Sequence, residues 1–183
     1  MDEPVFEVDD AVVLLLGAPS KQPQLTDRLQ GVTRLEKMIF LMEHETSLSD
    51  RLTEKPEFIA YNFGPFSAKV YQAVDTLAAA DLITDSAAST PSEAEAWESF
   101  AAIDDAAPDD PYATRDFQLT PRGRRYYDAL VRQLPPEAVQ ELSQLKARFG
   151  SLPLRQLVRY VYERYPAYTE RSLIRDEIIG GDR

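Results

Sequence analysis

Between residues 33 and 45, Leu35, Met38, Ile39 and Met42 recur in steps of three and four, which gathers them on one face of an α-helix. Thr33 and Glu36 have the spacing of a capping box at its start. The same periodicity follows Ser67, with Phe66, Val70, Val74 and Leu77 on one side. It returns after Thr120-Pro121 with Tyr127, Leu130, Val131 and Leu134, and between Pro136 and Gly150 with Val139, Leu142, Leu145 and Phe149. Ser151 and Pro153 open a further helix carrying Leu154, Leu157, Val158, Val161, Tyr162 and Tyr165, and Pro166 stops it. Thr169 opens the last, with Leu173, Ile174 and Ile178 apolar. Near the start, Asp9 or Asp10 caps a short helix over "DDAVVLLLG" that Gly17 closes. Three stretches read as strands: "EFIAYNF", "DLITDS" and "FQLT".

Helix, helix, strand, helix and then a two-stranded hairpin is the order of a small three-helix domain with a hairpin wing. The expected fold is therefore mainly α with a small β-hairpin: a winged helix-turn-helix domain over residues 1–120 and a C-terminal helical extension over 121–183. Gly64-Pro65 is expected to turn the chain and aim the following helix. In winged domains that helix often lies in the major groove. Ser67, Lys69, Gln72 and Thr76 would then face DNA. The alternative is a plain strand–helix turn beside solvated polar residues. "TPRGRRYYDALVR" adds Arg122, Arg124, Arg125 and Arg132, whose guanidinium forks suit phosphate. Equally open is that these arginines pair with the acidic insertion or with neighbouring helices.

Charge complicates the DNA reading. Among 183 residues the formal net charge is −11, whereas affinity for nucleic acid comes from neutralising phosphates. The acid is uneven. Residues 81–117 hold ten acids against one base, Arg115, and residues 118–165 hold nine bases against four acids. The acidic insertion spans 86–116. Arginine outnumbers lysine, a composition shared by salt-adapted proteins and by ordinary acidic ones.

Candidate chemistry is sparse. No phosphate-binding glycine loop or nucleophile elbow is present, and cysteine is absent, which excludes thiol nucleophiles and cysteine metal sites. The single histidine, His44, lies between two glutamates whose side chains diverge on a helix, so it reads as solvated. "DDAAPDD" lacks the spacing of a calcium loop. The expectation is a non-enzymatic protein with no metal or cofactor. The acidic first residues do not suit a signal peptide, and no apolar run reaches the ~18 residues of a membrane span, so a cytoplasmic location away from membranes is expected.

"RLQGVTRLEKMIFLMEHE", "YNFGPFSAKVYQAVDTLAAADLI" and "FQLTPRGRRYYDAL" together resemble the YwgA-like proteins and, more distantly, the SocA-like Panacea antitoxins. "VYERYPAYTERSLIRDEI" resembles the YwgA-like ending. The resemblance covers about residues 28–83 and 117–178, and the Gly-Pro-Phe-Ser block is its most specific part. It implies a winged-helix regulator, an antitoxin or an accessory protein of a phage-defence locus. The leading expectation is a DNA-binding regulator or antitoxin-like protein. The alternative is an adaptor that holds a partner protein, such as a toxin, and no DNA. The apolar C-terminal helices are expected to form a homodimer that presents two reading helices.

Overall fold

A computed structural model gives the fold and describes residues 5–61, 64–86, 115–172 and 175–180. The centre is helical. α1, Val8–Gly17, is apolar all round and is buried along nearly its whole length, as such a helix must be. Asp10 does not stand at its N-cap. It sits in the first turn, and its carboxylate accepts the Glu7 N–H at 2.9 Å. Gly17 is the last helical residue, and a Cβ there would run into the Tyr127 ring, so its smallness serves a close helix approach.

α2, Val32–Glu45, corrects an expectation. Its apolar residues do share a face, yet Thr33, Glu36 and Lys37 are buried with them. The helix runs through the core instead of lying on it with one stripe inward. Gly31 stands at its N-cap, and the Glu36 carboxylate is turned inside the protein, so the expected Thr33–Glu36 capping box does not form.

Two small antiparallel sheets complete the first 120 residues. β1 (Arg28–Gln30), β4 (Ile83–Asp85) and β5 (Asp116–Leu119) form one in the order β1-β5-β4, with Leu29 opposite Phe117 and Ile83 opposite Leu119. β1 has no strand signature in sequence: it is three residues long, only Leu29 is buried, and none is β-branched. β2 (Ile59–Tyr61) and β3 (Gly64–Phe66) form the other, a hairpin with Ile59 opposite Phe66. Gly64-Pro65 is thus part of a strand and not the turn itself. Gly64 has φ +89°, and a Cβ there would lie 2.6 Å from the Tyr162 ring.

α3 is Ala68–Ala79, capped by Ser67, whose hydroxyl accepts the Val70 N–H at 3.2 Å. α4 (Pro121–Val131) is capped by the Thr120 hydroxyl, which accepts the Gly123 N–H at 3.0 Å. α5 (Pro136–Phe149) and α6 (Leu154–Arg164) follow within the expected bounds. Thr169 closes a 3-10 turn, Pro166–Thr169, and does not open the final helix, α7 (Arg175–Ile179). Leu173 and Ile174 lie outside the described residues, as does nearly all of the acidic insertion.

The core is continuous across residue 120. α4, α5 and α6 contribute Tyr127, Leu142, Phe149, Val161 and Tyr162 to the cluster that holds α1 and α2. Lys146 of α5, fully buried, donates to the carbonyls of Leu16 and, at 3.2 Å, Ala18, and so caps the end of α1. Phe40 of α2 meets Phe58, Tyr165 and Tyr168 edge-on at ring separations of 4.9–5.1 Å. That contact ties the approach to β2 onto the C-terminal segment.

Candidate partner-binding surface

Ser67, expected on the exposed face of α3, is fully buried. Its backbone N–H donates to Glu36 Oε1 at 2.7 Å and its hydroxyl donates to the Pro56 carbonyl. Lys37 Nζ donates to the Pro65 carbonyl at 2.8 Å and lies 3.5 Å from Glu36 Oε2. Adjacent helical residues normally diverge. Here both charges remain inside because the Gly-Pro-Phe-Ser strand supplies polar partners, which a buried charge requires. Gly64, Pro65 and Ser67 are therefore held in the interior, whereas Phe66 is half-buried and the residues after Ser67 reach solvent.

Of those residues, Gln72 and Thr76 are exposed. Lys69 is half-exposed, and its ammonium is held by Glu54 and, at 3.1 Å, by Glu57. The hydrogen bond to Glu54 raises its pKa, so it stays charged and neutralised in place. Lys69, Gln72 and Thr76 line a depression of about 200 Å³ together with Glu7, Val8, Asp9, Glu54 and Ala73. Burial and the neighbouring Glu7 and Asp10 push the Asp9 carboxyl above its usual range, the mark of crowded negative charge. The exposed face of α3 is an acid-rimmed hollow with one internally paired cation.

The predicted arginines lie elsewhere. Arg122, Arg125 and Arg132 are exposed on α4 and its end and form no ion pair among the described residues. Arg124 differs. It is bound to Asp27 at 2.6 Å and Asp128 at 3.4 Å, and its guanidinium stacks 4.7 Å from the Tyr127 ring centre. The first turn of α1 touches both regions, because Glu7 and Asp9 line the α3 hollow while Asp10 receives the Tyr126 hydroxyl of α4. The structure thus brings Lys69, Gln72 and Thr76 together, and Arg122 and Arg125 together, but does not merge the two sets. Arg115, at the edge of the insertion, is buried against Asp85 and over the Phe117 ring.

Sequence reasoning missed Glu7, Asp9, Glu54 and Glu57, which define the hollow. Their signal was the acid density of residues 2–10 and of "TEKPE", which counts only once the fold brings the two together. His44 is partly exposed at the end of α2. It stacks 4.1 Å from Phe40, and its Nδ1 lies 2.8 Å from the Phe40 carbonyl oxygen. Among the described residues no group of three His, Cys, Asp or Glu could hold a metal ion, and no helix is long and apolar enough to cross a membrane. Compared with protein families, with curated proteins and with solved structures, the chain matches none.

Proposed function

We propose that the chain is a protein-binding module of the adaptor or antitoxin kind, built on a winged-helix-type scaffold, and that its partner presents cationic side chains to α3. The scaffold reading is supported by chain order: α1, β1, α2, α3, β4 and β5, with the first strand pairing with the last as β1-β5-β4. The extra β2–β3 hairpin is inserted between α2 and α3. In such a scaffold α3 holds the place of the reading helix. The carrying observation is the acid around it. Glu7, Asp9 and Glu54 rim the hollow, and Lys69 is already neutralised, so phosphates brought there would meet carboxylates. A lysine or arginine side chain would meet complementary charge.

The test is fluorescence anisotropy with two probes, an arginine-rich peptide and a random-sequence DNA duplex. The peptide is expected to bind, and Glu7→Gln combined with Glu54→Gln to weaken it several-fold. DNA binding that Lys69→Ala or Gln72→Ala abolishes would overturn the proposal in favour of groove reading by α3.

One observation favours a second reading. Arg122, Arg125 and Arg132, exposed and without an ion pair among the described residues, could contact phosphate backbones without any contribution from α3. DNA binding of that kind would be independent of sequence and steeply dependent on salt.

A further inference from the structure

Ile59 and Tyr61 project from β2 with 53% and 36% of their surfaces exposed, in a chain that buries most of its large apolar side chains. They are not isolated. The Tyr61 ring lies 5.0 Å from Phe66, and Phe66 lies 5.4 Å from Tyr71, so a row of aromatic rings runs from the hairpin to α3. Glu57 lies two positions before Ile59 and Lys69 three positions after Phe66, and Glu54 and Glu57, the partners of Lys69, have side chains 63% and 70% exposed. Both already grip the Lys69 ammonium, which shows that they are placed to accept a cation. Their remaining lone pairs face solvent.

We infer that this hairpin face seats a segment of a partner protein in which aliphatic or aromatic side chains are flanked by lysine or arginine. The inference rests on the protein-binding reading above and adds the anchor to it. The exposed Ile59 and Tyr61 beside the half-buried Phe66, with carboxylates close in the chain, have the composition of an interface core and its rim. The charge decides the occupant. Nucleic acid is opposed by the carboxylates. A second copy docking by a two-fold axis through this face would bring two sets of Glu54 and Glu57 into one interface, because the same patch serves both sides of such a contact. A cation-flanked apolar segment satisfies both features, with its apolar side chains on Ile59, Tyr61 and Phe66 and its cations on Glu54 and Glu57.

Two labelled peptides test this, one alternating leucine with arginine and the other with serine in place of leucine. The full chain is expected to bind the leucine peptide about tenfold more tightly or better, the worth of burying one or two apolar side chains. Ile59→Ser with Tyr61→Ser should remove that advantage and leave the serine peptide's affinity unchanged. Ile59→Thr, which keeps the branched shape that β2 prefers, should remove part of it and guards against an unfolded double variant. If the two peptides bind alike, the apolar row docks nothing and the inference falls while the acidic-surface reading stands. If the advantage survives both variants, the anchor lies elsewhere and the inference falls again. If neither peptide binds, both readings fall.

Discussion

At Gly64 two demands meet that only glycine satisfies: φ of +89° and a neighbouring Tyr162 ring where any Cβ would lie 2.6 Å away. Gly64→Ala is therefore expected to cost about 2–4 kcal/mol, combining backbone strain with overpacking. Urea unfolding would show it as a lower midpoint at unchanged slope. Lys146 gives a pH signature. Burial pushes its ammonium down to about 8 from an ordinary value of 10.5. Between those values the unfolded chain keeps a proton that the folded chain has released, so Lys146 makes stability rise with pH over that window. The rise is at most about 3 kcal/mol. The neutral amine still donates to the Leu16 and Ala18 carbonyls. Above pH 10 the trend reverses, because burial and Glu45 push Tyr165 up to about 12 and ionising tyrosines favour the unfolded chain. Wild type minus Lys146→Met, followed by denaturant titration across pH 7–10, should show the rise. A flat difference would contradict it.

At the scale of elements, α2 and α3 each depart from the role that the sequence suggests. α2 looks amphipathic but is immersed, and the Glu36–Lys37 pair is tolerated because β3 and Ser67 bond to it. α3, expected to face DNA, has an acidic setting on its exposed face. α4 carries Arg122 and Arg125, exposed and without an ion pair among the described residues. If α4 binds DNA non-specifically, Arg122→Ala with Arg125→Ala should abolish retention on heparin and on random duplex. The salt slope should also fall by about 1 per lost phosphate contact. Neither side chain packs in the core, so melting temperature should change little. An unaltered salt slope would remove α4 from consideration.

At the scale of the molecule, most of the described residues expected to form a dimer are already occupied, Leu154 and Tyr165 being half-buried. Leu157, Val158, Val161, Tyr162 and Ile178 are each 1% exposed or less within one chain. Packing of α6 against α2, β3 and the turn before α7 covers the stripe that would otherwise need a partner. Light scattering of the full chain at micromolar concentration should therefore give a monomer mass. A dimer that persists in high salt would point to a different interface, and one that dissociates on Ile59→Ser would place it on the hairpin. A net charge of −11 with Glu7, Asp9, Asp10 and Glu54 close together also makes the fold repel itself. Added salt should raise its melting temperature by screening those charges.

The sequence by itself determined α1 and the helices from α3 to α6, because apolar spacing and the Ser67, Thr120 and Pro136 starts are local facts that local physics enforces. It also determined the β4–β5 pairing from "DLITDS" and "FQLT", although 30 residues separate Asp85 from Asp116. Other features were decided only in the folded chain. β1 is a strand because β5 offers Leu29 and Arg28 partners in Phe117 and Asp116, and three polar-flanked residues carry no such instruction alone. Ser67 read as facing DNA and Glu36 as a capping residue; their burial, like that of Lys37 and Lys146, depends on carbonyls and amides supplied by distant segments. Gly64 read as a turn because its true constraint, the Tyr162 ring, stands 98 positions along the chain. The acid around α3 was decided in the same way. Electrostatic potential sums over space, and only folding brings Glu7 and Asp9 beside Glu54 and Lys69.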